Sequence, residues 1–336
     1  RDLIFKALNA KKHVVTANKA VIFNHGDELF SVANKNGVKL LYESSVCAGT
    51  PIIKLLNQEL AASKISKISG MLNGTSNFIL SNMEEGMEFE PTLKLAQEKG
   101  YAEPDPSFDI EGTDAAHKIG ILSSLAFGSS LPPKDFYIEG INGIHKDDFK
   151  YAHEMGYTIK HLAIAKSTNN SIDLRAHPSL VKLDSYLANL KGVRNGIEVE
   201  TDLLGTLHIA GSGAGQEATA SGVISDLIYL SDSKIREVNN INETIELIDF
   251  IDLDFQYYFY IEASDVSGVM ASISSIFANK DVSIESISQK ENLNDDLVPI
   301  IIITDPFKEK DYQELVDNLL ELDSVNKIRS IRIEPQ

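Results

Sequence analysis

Residues 13–42 read H-V-V-T-A-N-K-A-V-I-F-N-H-G-D-E-L-F-S-V-A-N-K-N-G-V-K-L-L-Y, and their punctuation decides the fold class. Within Lys12–Ala17 the apolar run His-Val-Val-Thr has β character and closes in Ala-Asn-Lys. A helix is predicted over about 27–35, stopped at Asn36-Gly37, a pair suited to a helix C-cap. Val38–Tyr42 then reads as a second strand. Strand, helix and strand joined by short turns make a parallel α/β unit. Upstream, residues 2–9 read as the end of a further helix.

Downstream the pattern changes to α+β. From Gly49 to about Asp202, β-rich runs at Lys67–Leu72, Ile159–Ser167, Ser171–His177 and Gly196–Thr201 alternate with amphipathic helices. Residues 91–99 are predicted helical, with Pro near the first turn and Gly100 as the stop. Residues 113–127 form another helix, apolar apart from Asp114, His117 and Lys118, and so a buried one. Gly205–Ile209 leads into the glycine loop 211–215 and a helix over Thr219–Leu230. Residues 231–254 are charged with few apolar anchors and read as a linker. Beyond it come strand Phe255–Ala263, a turn at 265–269, a helix to Asn279, strand Val282–Gln289, a polar loop at Asn292–Asp296, strand Leu297–Thr304, helix Lys308–Leu322 and strand Lys327–Ile333. The order β-α-β-β-α-β is that of a ferredoxin-like sandwich.

At 336 residues the chain is long enough for two or three domains. A net charge of −18 argues against a nucleic-acid partner, which needs a basic footprint. No apolar run approaches the ~18 residues of a membrane span. The single cysteine, Cys47, excludes an internal disulfide framework and suits a reducing cytoplasm. Its small neighbours Val46, Ala48 and Gly49 favour a packing role over a reactive thiol. The scattered histidines show no zinc-ligand spacing.

Residues 100–118, G-Y-A-E-P-D-P-S-F-D-I-E-G-T-D-A-A-H-K, concentrate the candidate chemistry. Glu103, Asp105, Asp109 and Glu111 sit on a loop stiffened by two prolines. Asp114 and Lys118, four apart, share one helix face within ion-pair reach. A Lys beside carboxylates can orient an amino acid's ammonium group and move a proton. On spacing alone the pair also reads as a solvated helix pair worth ~0.2–0.5 kcal/mol. The acids likewise read as dipole compensation before a helix. Glycines before a helix let backbone amides approach an anion or a ring, although G-x-G-x-G by itself reads as a tight turn.

Five blocks in order carry a resemblance. They are 14–20 (V-V-T-A-N-K-A), 42–53 (Y-E-S-S-V-C-A-G-T-P-I-I), 70–77 (G-M-L-N-G-T-S-N), 100–118, and 211–226 (G-S-G-A-G-Q-E-A-T-A-S-G-V-I-S-D). Together they resemble homoserine dehydrogenases, which interconvert aspartate semialdehyde and homoserine with NAD(P). The resemblance implies that Lys118 handles the proton on the substrate oxygen, with Asp114 setting its charge. It implies that Glu103 and Asp109 bind the substrate's amino end, and that Lys19 is a second active-site lysine between cofactor and substrate. Gly215 is implied to line the nicotinamide side of the cleft. The turn at Glu43, Val46, Ala48 and Thr50 is implied to hold a structural monovalent cation, usually sodium, for which one carboxylate and several carbonyl oxygens suit. A Gly-Thr-Pro turn packed on Tyr42 is the other reading of that stretch. A homodimer through the substrate domain's sheet is also implied.

No G-x-G-x-x-G follows an early strand, so residues 1–44 are expected to be the last part of a Rossmann NAD(P)-binding domain whose first half is missing. Residues 45–230 are then the α+β substrate and dimerisation domain, with 205–230 packing near the cofactor. Residues 231–254 are the linker. Residues 255–336 resemble an ACT regulatory domain through D-x-x-G-V at Asp265–Val269, which implies an amino-acid effector, threonine, bound at Asp265 and Gly268. The activity expected is NAD(P)-dependent homoserine dehydrogenase in threonine, methionine and isoleucine biosynthesis. The alternative is a catalytically inactive fragment that only binds an amino acid.

Overall fold

The computed structural model describes residues 1–133, 135–169, 171–231, 246–290 and 296–335. The opening unit is a parallel pair, β1 (Val14–Val15) with β2 (Leu40–Leu41), in register Val14↔Leu40. The helix between them is Lys19–Asn36, starting well before the predicted residue 27. Asn18 explains the difference, because its side chain accepts the backbone N–H of Val21 at 3.0 Å and caps a helix where the sequence suggested a turn. The helix stops as expected, with Gly37 in the left-handed conformation.

The remaining strands are β3 (Ile65–Met71), β4 (Tyr137–Ile138), β5 (Tyr157–Thr168), β6 (Ser171–Lys182), β7 (Arg194–Thr201), β8 (Gly205–Ser212), β9 (Glu246–Leu247), β10 (Asp254–Ser264), β11 (Ile284–Gln289), β12 (Leu297–Thr304), β13 (Phe307–Lys308) and β14 (Val325–Ile333). They belong to one sheet with the path β11-β12-β10-β14-β6-β5-β3-β7-β8. Strands β10, β11, β12 and β14, with helices Val269–Asn279 and Glu309–Leu320 between them, have the ferredoxin-like order, and β13 pairs with β10 off that path. The polar loop expected at 292–296 lies outside the described residues except for Asp296.

The tail is not set apart from the rest. β14 pairs parallel with β6 at Arg332↔Ser179 and Ile333↔Leu180, which makes the tail strands continuous with the sheet of β3 and β5–β8. Along β10, Tyr258 and Tyr260 enter a core shared with Ile79, Ile159 and Leu180, while Phe259 and Ile261 enter the tail's own core with Ile273 and Phe277. β12 reads almost entirely apolar because both of its faces are buried. Of the predicted linker, residues 232–245 lie outside the described residues. Residues 246–252 are anchored, contrary to the reading of few contacts. β9 pairs with β6, and the Phe250 ring stacks on Tyr137 with centroids 3.6 Å apart.

Helix Thr113–Phe127 has the predicted bounds and is buried along most of its length. It crosses helix Lys19–Asn36 closely because Gly120 has no Cβ where the Phe23 ring sits. His117 stacks on the same ring, centroids 4.3 Å apart. That crossing brings the start of each helix to one place.

Candidate active site

Lys118 is 8 % exposed and Asp114 5 %, so neither belongs to a solvated helix pair. The Lys118 ammonium lies 2.7 Å from Asp114 Oδ2 and donates to the Leu72 carbonyl at 2.6 Å. Leu72 directly follows β3, and its carbonyl is free for a side chain because the sheet ladder has ended there. Lys19, the first residue of its helix, pairs with Asp114 Oδ1 across 95 positions of sequence and lies over the Phe108 ring at 4.8 Å. One carboxylate therefore faces two ammonium groups.

Asn73 completes the cluster. Its Nδ2 donates to Asp109 Oδ1 at 2.7 Å and to Asp114 Oδ2 at 2.8 Å. Its Oδ1 caps helix Gly74–Glu84 by accepting the Ser76 N–H at 2.7 Å. Sequence reasoning took in Asn73 only as part of the block 70–77 and gave it no role. Its N-cap position before Gly-Thr-Ser was the signal available. Burial, followed by the Lys118 ammonium, pushes Lys19 down to about 7 against the pull of the Asp109 carboxylate. Burial also lowers Lys118 from its ordinary value, against the pull of Cys47 and Asp109.

The acidic loop is tied to the same helix start, since Thr75 Oγ1 donates to the Tyr101 carbonyl at 2.6 Å. Glu103 is exposed, with no ion pair among the described residues. Its position is held through the backbone, where Gln97 donates to the Glu103 and Pro104 carbonyls, each at 3.3 Å.

Gly215, with φ +117°, borders an open cleft of about 550 Å³ lined by Gly49, Ser212, Ala214 and Ser221, at the start of helix Gln216–Ser231. Glycine backbone and a helix N-terminus are groups that can hold a dinucleotide's phosphates or ring face. A larger cavity, about 780 Å³ between Phe23, Pro132 and Leu247, holds none of the Lys118 cluster.

In the 43–50 turn, both Glu43 carboxylate oxygens are engaged by helix-start amides, from Ile53 at 2.9 Å and Lys54 at 3.0 Å. Burial raises the Glu43 carboxyl against those two amides. Val46 and Ala48 are buried. The Thr50 hydroxyl is buried with no hydrogen-bond partner among the described residues. Cys47 is buried and its thiol is raised by that burial, which agrees with a packing role. In the tail, Gly268 has φ +98° and precedes helix Val269–Asn279, and Asp265 Oδ1 accepts from Gln289 at 3.4 Å.

Comparison with known proteins bears on this arrangement. Residues 51–228 match the family described as homoserine dehydrogenase, and residues 1–43 match the homoserine dehydrogenase NAD-binding domain. The chain is 41% identical to homoserine dehydrogenase of Pseudomonas aeruginosa, over 99% of this chain and 80% of the relative. The chain belongs to the homoserine dehydrogenase family. The Neisseria gonorrhoeae homoserine dehydrogenase is 39% identical over 99% of this chain and 80% of its own length. The crystal structure of a homoserine dehydrogenase from Thiobacillus denitrificans superposes with a TM-score of 0.92 at 39% identity, covering 99% of this chain and 79% of that one. A hyperthermophilic archaeal homoserine dehydrogenase in complex with NADPH gives 0.62 at 31% identity, covering 70% and 69%. As a member of this family, the chain is an NAD(P)-dependent oxidoreductase. No helix among the described residues is long and apolar enough to cross a membrane.

Proposed function

We propose that the cluster around Lys118 carries the proton step of homoserine oxidation to aspartate semialdehyde, and of the reverse reduction. The observation that carries this reading is the doubly held ammonium. A lysine has three N–H donors, and Asp114 and the Leu72 carbonyl occupy two. The third is left to bind the substrate oxygen. Asp114 holds Lys118 and Lys19 together and keeps the site's charge balanced. Glu103 from the tethered loop and Asp109 from the short helix Ser107–Ile110, where the sequence suggested a loop, bind the substrate's ammonium group. The nicotinamide cofactor supplies the hydride chemistry when bound, and Gly215 leaves room for it. The cleft beside the helix start supports that placement. The test is homoserine-dependent reduction of NADP⁺ and NAD⁺; a folded protein inactive with both would overturn the reading.

The lysine pair makes the reaction pH-dependent in a defined direction. Oxidation needs an unprotonated amine to accept the alcohol proton, so its kcat should rise with pH as Lys118, held below the ordinary lysine value by burial, gives up its proton. Reduction needs the ammonium and should fall over the same interval. In Lys19→Met, that limb should move, because removing one ammonium lets Asp114 hold Lys118 protonated to higher pH. A profile unchanged in Lys19→Met excludes coupling between the two amines.

The reading extends to three further features. Val46 and Ala48 carbonyls with the unpartnered Thr50 hydroxyl hold a monovalent cation, sodium, while Glu43 braces the turn. The tail works as an ACT module that binds threonine beside Asp265 and Gly268 and feeds back on the enzyme. Asp265→Ala should then lose ~1.5–3 kcal/mol of threonine affinity by calorimetry, the value of a hydrogen bond to a charged group. Unaltered binding would remove Asp265 from that site. The enzyme acts as a cytoplasmic homodimer in threonine, methionine and isoleucine biosynthesis.

A further inference from the structure

We infer that Asn195 is a positioning residue for this reaction, tying Lys118 to the glycine loop; the inference rests on the proton-handling role proposed for Lys118. Asn195 lies on β7 opposite Gly211 of β8 and is fully buried. Its Nδ2 has two N–H groups. One donates to the Leu72 carbonyl at 2.6 Å and the other to Cys47 Sγ at 3.1 Å. The Leu72 oxygen has two lone pairs, and the second takes the Lys118 ammonium at 2.6 Å. Carboxamide and ammonium thus meet on one oxygen.

The orientation of the carboxamide follows from this contact, because turning it over would set Oδ1 against the Leu72 oxygen. Oδ1 is left buried, with no hydrogen-bond partner among the described residues. An apolar residue of the same shape would avoid that penalty, so packing alone does not account for an asparagine here. On its other side, Gly213 presents backbone where a Cβ would overlap the carboxamide. The glycine loop therefore rests on Asn195. The Cys47 turn, the end of β3 and the glycine loop converge on this one side chain. A shift of the carboxamide moves Lys118 relative to the loop that faces the cofactor, and hydride and proton transfer are sensitive to such misplacement.

The test is steady-state homoserine oxidation across pH for the parent, Asn195→Asp, Asn195→Ser, Lys118→Ala and the Lys118→Ala/Asn195→Asp double variant. Asn195→Asp keeps the shape but replaces the donor facing Leu72, and Asn195→Ser withdraws the group. The expected result is a fall in kcat of roughly tenfold to a hundredfold with KM for homoserine changed by less than about threefold. The amine limb of the pH profile should be displaced, and the double variant should be no slower than Lys118→Ala alone, since both changes act through one group. A folded Asn195 variant within about twofold of the parent in kcat overturns the inference. So does a double variant slowed by the product of the two single effects. Loss of fold in both Asn195 variants also overturns it, making the residue structural. Parent-like rates in Lys118→Ala would instead remove the role on which the inference rests, and that arm is read separately.

Discussion

Replacing Lys118 by Ala should lower kcat for homoserine oxidation by about 10²–10⁴-fold, the range carried by a positioned proton-transfer group. The fold should survive, because Asp114 keeps Lys19 and Asn73 as partners and is not left as an unpaired buried charge. KM for homoserine should move far less than kcat if Glu103 and Asp109 bind the substrate's ammonium group as proposed. Lys118→Arg should not restore the rate. A guanidinium stays charged throughout the working pH range and cannot accept the alcohol proton. Steady-state kinetics beside thermal melting check both halves, and near-normal kcat in a folded Lys118→Ala protein would end the assignment.

The second large effect is on stability. Arg332→Met should destabilise the protein by ~3–5 kcal/mol, the consequence of removing one partner from a buried ion pair. The Arg332 guanidinium is buried and bonds both oxygens of Glu309, at 2.6 and 3.1 Å, and Glu139 at 2.6 Å. The rings of Tyr137, Phe250 and Tyr257 lie within 5.5 Å of it. Without it Glu309, itself buried, loses its cation and keeps only the Tyr257 hydroxyl as a side-chain partner among the described residues. Arg332→Lys should recover only part of the loss, since an ammonium cannot reproduce the bidentate fork. Urea unfolding measures the difference, and a loss below ~1 kcal/mol would show the Glu309 site open to water. Because Arg332 joins Glu139, within the residues 51–228 that match the family, to Glu309 of the tail, the variant also reports how firmly the two parts are held.

What could be read in advance divides by range. Helix Thr113–Phe127 was legible because its run of apolar residues, broken by Asp114, His117 and Lys118, is a local signal. The Asp114–Lys118 pair followed from helical spacing, and the tail's ferredoxin-like order from alternating runs and turns. The start of helix Lys19–Asn36 was missed because Asn18 and Lys19 are equally good turn residues and polar side chains blur the helical period. Lys19 on Asp114, Asn195 on Leu72 and β14 on β6 were not legible. Each depends on chain crossings separated by many tens of residues, and local pattern carries no record of them. Asn195 in particular is one polar residue in a strand and differs in no local respect from a solvent-facing one. The resemblance to homoserine dehydrogenases singled out Lys19, whose place at the carboxyl edge of a strand reads equally as a ligand position and as a helix start.

One long strand, β6, has its outer edge completed by three short parallel pieces. β9 meets it at Ser171–Ile172, β4 at Arg175–Ala176 and β14 at Ser179–Leu180. During synthesis the ribosome delivers β6 long before two of these three. Until β9 and β14 emerge, its outermost amides and carbonyls form an open edge of the kind that recruits strands from other chains. The nascent polypeptide therefore carries an open β6 edge, a site for co-translational clumping, from the emergence of residue 182 until β14 pairs with it.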